Sequence, residues 1–173
     1  VLLQLESPIE TVIAAAAAAR AAGARVILDP APAPDGPLPE ALVRNVDIVT
    51  PNESEAAALV GRGDAHAALD DPIEVARSIQ KQGFSTVILK LGARGCFALE
   101  GQVEGMLVSA PAVDAVDSTA AGDAFNGALA VGLADGEGLI SACRFAVRAA
   151  ALSVTRFGAQ ASMPTRDEVL AGS

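Results

Sequence analysis

Residues 85–92, with the sequence STVILKLG, form an almost uninterrupted apolar run. A strand of this kind is buried on both faces, which is typical of a parallel sheet with helices packed on both sides. The segments RVILDPAPAP and DIVTPNESEAAAL also contain short β-branched runs, and VLLQLES at the start of the chain predicts a further buried strand. Helical patterns separate these runs, so the sequence predicts an α/β fold with a mainly parallel sheet.

Capping residues predict where several helices begin. Ser7, Pro8 and Glu10 have the pattern of an N-cap, a first helical residue and the third residue of a capping box. Asn52 and Glu55 form a second such box. Both helices are therefore expected to start directly after a strand.

The second half of the chain predicts both helices and an edge hairpin. One long helix follows DSTAAG and another covers residues 139–154, while shorter helices start at Asp71 and Thr165. Residues 95–109 contain two short apolar runs around Gly101, which predict an antiparallel hairpin at the edge of the sheet.

Composition and charge exclude several classes of partner. Of the 173 residues, 51% are hydrophobic and 19% are charged, which predicts one compact domain over residues 1–173. Twelve Lys and Arg residues stand against 21 Asp and Glu residues, and the net charge of −9 argues against nucleic acid and anionic membranes as partners. No apolar run approaches the roughly 18 residues that a membrane span needs.

The two cysteines lie far apart in apolar contexts, without the spacing of a zinc site or a disulfide scaffold. We expect Cys96 in the sheet, Cys143 in the core and a reducing cytoplasm as the compartment. His66, in RGDAHAALD, is interpreted as an exposed loop residue.

The segment DSTAAGDAFNGAL places small residues, 118–122, before a predicted helix whose first turn contains Asp123. Small residues leave backbone N–H groups uncovered at a helix N-terminus, where the macrodipole favours a bound phosphate. Asp123 would repel that phosphate unless it takes a proton from a hydroxyl group that attacks it. The alternative is that Asp123 only stabilises the helix, by about 0.5 kcal/mol, and the spacing leaves both open.

Two further segments follow predicted strands. Asn52 and Glu55 are explained by capping alone, but they stand where open α/β sheets bind ligands, and their oxygens suit a hydrated Mg²⁺ that bridges phosphates. Residues 91–95, LGARG, are either a glycine-rich turn or a loop that lies along a nucleotide.

These segments together resemble the ribokinase (PfkB) family of carbohydrate kinases. The C-terminal signature of the family corresponds to VDSTAAGDAFNGAL, and the resemblance extends in order through QLESP, LDPAPA, DIVTPNESEA, LGARG and RFAVRAAALSVTRFGAQASMP. It implies a three-layer α/β/α sandwich with a small β lid, and an ATP-dependent kinase that converts D-ribose to D-ribose 5-phosphate. Another pentose, a nucleoside or a fructose phosphate as acceptor, and a truncated non-catalytic nucleotide-binding module, are the alternatives.

The resemblance also implies roles for single residues. Asp123 corresponds to the base that takes the proton from the primary hydroxyl of the sugar, and Glu6 corresponds to a contact with another sugar hydroxyl. Ala120, Ala121 and Gly122, with the amide of Asp123, correspond to the anion hole for the γ-phosphoryl group, and Gly122 also to a nucleotide contact.

The cofactor positions are likewise implied by the resemblance. Nucleotide and Mg²⁺ contacts correspond to Asn52 and Glu55, the loop that follows the ATP to Lys90, Leu91, Gly92, Ala93, Arg94 and Gly95, and a position near the adenine to Val147. A K⁺ site beside the anion hole corresponds to the side chains of Asp117 and Ser162 and the carbonyls of Thr119, Ser153, Arg156 and Gly158.

The resemblance covers only the C-terminal half of the family. The N-terminal part, with the lid, most sugar contacts and several strands, is expected to be missing, and the chain begins inside an apolar run without a methionine. We therefore expect this chain alone to be a weak kinase or inactive. Members of the family commonly dimerise through the lid, so a homodimer of the full-length protein is left open.

Overall fold

The structure is a computed structural model that describes residues 1–61 and 71–171, so the expectation for His66 lies outside the described residues. Six strands form one sheet in the order β1-β2-β3-β4-β5-β6. They are β1 (Leu2–Leu3), β2 (Ile27–Leu28), β3 (Ile48–Val49), β4 (Thr86–Lys90), β5 (Cys96–Glu100) and β6 (Met106–Val108). The order follows the chain, as expected where sequential strands lie beside one another.

The first four strands are parallel and form the apolar centre of the sheet. Leu28 lies opposite Leu3 on one side and opposite Val49 on the other, and Val49 lies opposite Val87. Leu28, Val49 and Val87 are fully buried. The prediction of a mainly parallel sheet with a central strand buried on both faces is confirmed.

The last strands form the predicted antiparallel edge. Leu91 N–H donates to the Gly95 carbonyl at 2.8 Å and Gly101 N–H donates to the Ser85 carbonyl at 3.0 Å. The two pairs have the same sum of residue numbers, which is the register of an antiparallel hairpin between β4 and β5. Gly101 has a φ of 56°, so the turn after β5 uses the left-handed backbone that glycine adopts without strain.

The described residues contain seven α-helices, namely α1 (Ile9–Ala21), α2 (Glu40–Val43), α3 (Glu53–Leu59), α4 (Pro72–Gln80), α5 (Ala121–Ala134), α6 (Leu139–Ser153) and α7 (Arg166–Ala171). The predicted cap at Asp71 is present, since its carboxylate accepts from the N–H groups of Ile73 and Glu74. The predicted starts of α6 and α7 also agree with the structure, whereas α5 begins at Ala121, within the small residues expected to precede it, and has Asp123 in its first turn as predicted.

The chain divides into two compact units. Unit 1 consists of Val1–Lys90 and Phe97–Met106, and unit 2 consists of Leu91–Cys96 and Leu107–Ser173. In unit 1, α4 packs against β4, and Val75 and Ile79 of this helix are buried. In unit 2, α5 and α6 approach closely, because a Cβ at Gly132 would lie 3.1 Å from Cβ of Ala142. Small residues at this crossing allow the two backbones to come together.

Two predictions for the start of the chain are wrong. The sequence predicted Ser7 as the N-cap of α1 and Pro8 as its first residue. Instead, Pro8 is the N-cap, with a ψ of 135° and no side-chain cap, and the helix begins one residue later than predicted. Strand β1 is not buried, since Leu2 is 44% exposed. Its position at the end of the strand order explains this exposure, because an edge strand is covered by a single neighbour.

Candidate active site

The N-terminus of α5 begins with a left-handed residue. Ala120, the N-cap, has a φ of 60° and a ψ of 17°, and it is the one non-glycine residue of the described ranges with a positive φ. This conformation costs about 1–2 kcal/mol for a residue with a Cβ, and such strain concentrates at functional sites. The helix also starts without a side-chain cap, so no cap side chain covers its first turn.

The backbone donors of this first turn can be assigned in order. Ala121 N–H donates to the Ser118 carbonyl at 3.2 Å, and Ala124 N–H begins the regular helical pattern by donating to the Ala120 carbonyl at 2.9 Å. The N–H groups of Gly122 and Asp123 lie between them, in the first turn of α5. The dipole of the helix favours an anion at this end.

The side chain of Asp123 is exposed in the same turn. A carboxylate beside backbone donors and a helix N-terminus can accept a proton from a nucleophile while the donors stabilise negative charge on the group under attack. Capping alone does not need the left-handed residue that precedes this turn. The geometry thus suits phosphoryl transfer, in which the group under attack is an anion.

Asp117 fixes the loop just before this helix. Its Oδ1 accepts from Thr119 N–H and its Oδ2 from Gly158 N–H, both at 2.9 Å. The Thr119 hydroxyl, together with these two N–H groups, holds the pKa of Asp117 at about 2, so the carboxylate is ionised at neutral pH. The Val154 carbonyl accepts from both Val116 N–H (2.7 Å) and Asp117 N–H (3.1 Å), which joins this loop to the end of α6.

The C-terminal end of α6 and the loop after it supply further oxygen atoms. Ser153 and Ser162 are almost fully buried, and their hydroxyls donate to the carbonyls of Ala150 at 2.9 Å and Ala159 at 2.8 Å. Since each hydroxyl donates its proton, its oxygen lone pairs remain available to a cation. The end of a helix also carries a partial negative charge.

These residues fit a monovalent cation. Asp117, Ser162 and the carbonyls of Thr119, Ser153, Arg156 and Gly158 all belong to unit 2, and all of them offer hard oxygen atoms. The ionised carboxylate of Asp117 and the partial charge at the end of α6 have the sign that favours K⁺. We refer to residues 153–162 as the cation loop.

Asn52 and Glu55 form the predicted capping box at the start of α3. Glu55 N–H donates to the Asn52 side-chain oxygen at 2.9 Å, and Asn52 N–H donates back to Glu55 Oε2 at 2.7 Å. The Asn52 amide also donates to Glu55 Oε1 at 2.7 Å. The carboxylate is therefore held at both oxygens by a single residue.

Lys90 and Asp29 complete a buried charged cluster around Glu55. Lys90 Nζ lies 2.8 Å from Asp29 Oδ1 and 4.0 Å from Glu55 Oε2, and the three side chains are 6–11% exposed. Burial raises the pKa of Glu55, whereas Asn52 N–H and the Lys90 ammonium oppose that shift. Sequence reasoning missed Asp29, although its position directly after β2, next to the end of β3, could have indicated it.

The cluster in unit 1 fits a hydrated Mg²⁺ better than a directly bound one. Carboxylate and amide oxygens are the ligands that Mg²⁺ prefers, and the ion keeps several of its waters in proteins. Both Glu55 oxygens already accept hydrogen bonds, but a carboxylate has about four acceptor sites, so it can still accept from a metal-bound water.

The loop over residues 91–95 is a 3₁₀ turn with one obligatory glycine. Gly92–Arg94 form the turn and are exposed, whereas Leu91 is buried. Gly95 has a φ of 96°, and a Cβ there would lie 2.0 Å from the Val108 carbonyl oxygen. The glycine-rich turn is thus required by packing, and the exposed surface of residues 92–94 is available to a ligand.

Two predicted site residues lie apart from these clusters. Val147 is buried on α6, with 4% of its surface exposed. Glu6 lines a shallow pocket of about 240 Å³ in unit 1, between the end of β1 and the first turns of α1, together with Ser7 and Thr11. Neither residue is brought into contact with the other predicted site residues of its own unit by a described hydrogen bond or ion pair.

The structure thus gathers the predicted residues into two groups. In unit 1, Asn52, Glu55 and Lys90 are joined through hydrogen bonds and ion pairs, and in unit 2 Asp117, Thr119 and Gly158 are joined in the same way. Within the described ranges, no helix is both long and apolar enough to cross a membrane. No group of three or more His, Cys, Asp or Glu residues suited to a metal ion occurs among them either.

Comparisons with known proteins agree with this architecture. The chain is 40% identical over 169 residues to the ribokinase of Haemophilus influenzae. The aligned residues are 98% of this chain and 54% of that protein. The ribokinase structure from Thermotoga maritima matches with a TM-score of 0.85 and 39% identity over 98% of this chain and 55% of that one. The structure of Arabidopsis thaliana ribokinase complexed with ribose and ATP matches with a TM-score of 0.88 and 35% identity. This match covers 98% of this chain and 54% of that one.

An α/β protein of the ribokinase-like fold is the class that these matches define. The model of the pfkB family of carbohydrate kinases matches residues 1–166, and the chain belongs to this family. It spans about half the length of the curated relatives that it matches.

Proposed function

We propose that this chain is the nucleotide-binding part of an ATP-dependent sugar kinase that converts D-ribose and ATP to D-ribose 5-phosphate and ADP. The observation that carries the proposal is the start of α5, where left-handed Ala120 precedes a helix N-terminus without a side-chain cap and exposed Asp123 stands in the first turn. Membership of the pfkB family and the ribose and ATP in the Arabidopsis thaliana structure support the choice of substrates.

Asp123 is the proposed base. Its carboxylate accepts the proton of the primary hydroxyl as that oxygen forms a bond to the γ-phosphorus of ATP. The bond between the γ-phosphorus and the bridging oxygen breaks, and ADP leaves with the electron pair. The N–H groups of Gly122 and Asp123, in the turn begun by Ala120 and Ala121, stabilise the charge on the transferred group.

Two cations support this reaction in the proposal. The cluster of Asn52 and Glu55 holds a hydrated Mg²⁺, which supplies charge neutralisation at the phosphates. The cation loop and Asp117 hold K⁺, and this chain's contribution is to keep the loop before α5 in place through the Asp117 hydrogen bonds.

The remaining predicted residues are assigned to substrate contacts. We assign the turn over residues 91–95 and the surface near Val147 to the nucleotide, Lys90 to the support of Glu55, and Glu6 to a hydroxyl of the sugar. The two buried free thiols suit a reducing compartment, and we place the reaction in the cytoplasm.

The test measures ADP release with MgATP and K⁺ over ribose, deoxyribose, fructose, adenosine and fructose 6-phosphate. The protein is used both as this chain and with its upstream coding region added. We expect ribose-dependent release from the extended protein and little or none from the 173-residue chain. Release with another acceptor would overturn the choice of ribose, and its absence with every acceptor would favour a non-catalytic nucleotide-binding module.

Asp123→Asn separates the base from a helix-stabilising carboxylate. In the extended protein we expect kcat to fall by about 10²–10⁴-fold while ATP still binds, because general base catalysis contributes that factor. Asp167→Asn is the matched control, since Asp167 is also exposed in the first turn of a helix. If both substitutions have equal and small effects on kcat, Asp123 is not the base and only stabilises the N-terminus of α5.

A further inference from the structure

Helix α7 extends beyond the part of the chain that the family model matches. The match ends at residue 166, whereas α7 covers Arg166–Ala171. The helix is docked in unit 2, because Val169 is only 3% exposed. Thr165 and Glu168 form a capping box, with Thr165 N–H donating to Glu168 Oε2 at 2.7 Å and Glu168 N–H donating to Thr165 Oγ1 at 3.4 Å.

Two ion pairs with the same shortest N–O distance attach this helix to the rest of unit 2. Arg156 Nη2 lies 2.6 Å from Glu168 Oε1, and Arg166 Nη1 lies 2.6 Å from Asp135 Oδ2. The side chains are partly exposed in both pairs, at 35% and 41% in the first and 59% and 42% in the second. As tethers of the helix, the two pairs are therefore comparable.

The two ion pairs connect α7 to different parts of unit 2. Asp135 is the C-cap of α5, at the opposite end of that helix from Ala120. Arg156 lies in the cation loop, where its N–H donates to the Ser153 carbonyl at 3.1 Å. Two residues later, Gly158 N–H donates to Asp117 Oδ2. Arg156 thus makes the hydrogen bond to the last residue of α6 itself and lies two residues before the hydrogen bond to Asp117.

Glu168 holds Arg156 by both guanidinium arms. Besides the 2.6 Å contact, Arg156 Nη1 lies 3.4 Å from Glu168 Oε2. A two-armed contact fixes the plane of a guanidinium as well as its position. Since the carboxylate is itself fixed by Thr165, the Arg156 side chain is held against a docked helix. The Arg156 guanidinium and the Thr165 contacts hold the pKa of Glu168 at about 2, so the pair is charged at neutral pH.

We infer that Glu168 is a positioning residue for the monovalent-cation site, because its ion pair with Arg156 orients the cation loop that presents the Arg156 and Gly158 carbonyls. This inference rests on the cation site of the proposed function. The Glu168 carboxylate is not a ligand in this arrangement, and it acts through Arg156. Helix α7 thereby becomes part of the cation site, although all of it except Arg166 lies outside the matched segment.

Simple electrostatics and positioning make opposite predictions for Arg156→Met. This substitution removes a positive charge near the proposed cation, which by itself would strengthen K⁺ binding. It also releases the cation loop from α7, which would weaken K⁺ binding. Glu168→Gln weakens binding in both accounts, so Arg156→Met distinguishes them.

The experiment follows the midpoint of thermal unfolding of this chain against KCl concentration, with choline chloride keeping the ionic strength constant. We expect K⁺ to raise the midpoint of the unaltered chain. The half-saturating K⁺ concentration should rise about fivefold in Arg156→Met and in Glu168→Gln, the factor that corresponds to a well-formed exposed ion pair. The double variant should show no additional change, because both substitutions break one interaction.

Arg166→Met is the matched control, since it removes the other tether of α7 with the same change of side chain. Its half-saturating K⁺ concentration should stay that of the unaltered chain. An equal increase in Arg166→Met would overturn the inference in favour of general loss of helix docking, and tighter binding in Arg156→Met would overturn it in favour of electrostatics. Absence of any K⁺-specific stabilisation in the unaltered chain would instead overturn the proposed cation site, and the inference with it.

Discussion

At the scale of single residues, the left-handed backbone at Ala120 makes a prediction that two glycine substitutions can test. Ala120→Gly removes the Cβ that makes this conformation unfavourable, and we expect the free energy of unfolding to rise by up to about 1 kcal/mol. Ala121→Gly, one residue into the helix, should lower it by about 0.5–1 kcal/mol. Chemical denaturation of both variants measures these values, and a loss of stability in both would contradict the left-handed assignment.

The buried charged cluster around Lys90 makes a second prediction at this scale. Lys90→Met leaves Asp29 and Glu55 buried without their cation, and we expect a loss of about 3–5 kcal/mol in the free energy of unfolding. The double variant Asp29→Asn and Lys90→Met should recover most of it, because the unpaired charge at Asp29 is then also removed.

Arg20→Met provides the control for this cluster. Arg20 pairs with Asp47 at a partly exposed position, with side chains 49% and 31% exposed. Exposed pairs contribute at most about 1 kcal/mol, so urea denaturation should show a small change. A loss as large as that of Lys90→Met would mean that burial does not determine the contribution of these pairs.

At the scale of elements, the turn between β4 and β5 should tolerate substitution at one glycine and not at the other. A Cβ at Gly95 would lie 2.0 Å from the Val108 carbonyl oxygen, and we expect Gly95→Ala to cost about 3 kcal/mol or more. Gly92 has a φ of 54°, but a Cβ there would meet nothing within 4 Å, so Gly92→Ala should cost about 1 kcal/mol. Thermal unfolding of the two variants compares them directly, and similar losses would show that φ alone, and not the carbonyl contact, sets the cost.

The elements that the sequence predicted correctly are those defined by local patterns. The capping box of Asn52 and Glu55 spans three residues, and its chemistry is readable without knowledge of the fold. The hairpin edge follows from two apolar runs around Gly101. By contrast, Ser7 offers an equally good local pattern, but the extended backbone at Pro8 prevents its use.

The contacts that the sequence did not predict join distant segments. Lys90 and Asp29 are 61 residues apart, and only the sheet, in which β3 lies between β2 and β4, brings the two charges together. Arg156 and Glu168 are 12 residues apart, but their contact depends on how α7 docks. The exposure of β1 depends on which strand lies beside it, which an apolar run alone does not reveal.

At the scale of the whole molecule, the two thiols predict how stability depends on pH. Cys96 and Cys143 are free and fully buried, and the hydrogen bond between them, followed by burial, raises the pKa of Cys96. The unfolded chain loses the Cys96 proton near pH 8.5 whereas the folded chain keeps it. The stability contribution of this thiol is therefore present below pH 8.5 and is lost as the pH rises.

Denaturant unfolding at pH 7, 9 and 10 measures this dependence. The slope above pH 8.5 should be smaller in Cys96→Ala, by up to about 1.4 kcal/mol per pH unit. In the folded protein at pH 8, neither thiol should react rapidly with a disulfide reagent, because both side chains are fully buried. Rapid reaction before unfolding would contradict the burial of the pair.

The Val154 carbonyl, which accepts from both Val116 and Asp117, has a consequence for hydrogen exchange with solvent. Val116 is 48% exposed, and exposed segments usually exchange their amide protons quickly. The amides of Val116 and Asp117 are nevertheless bonded to the end of α6, so their protons can leave only when this junction opens. The loop that precedes α5 is therefore expected to contain two slowly exchanging amide protons on an otherwise accessible surface. Their exchange rate measures how often this loop separates from the end of α6.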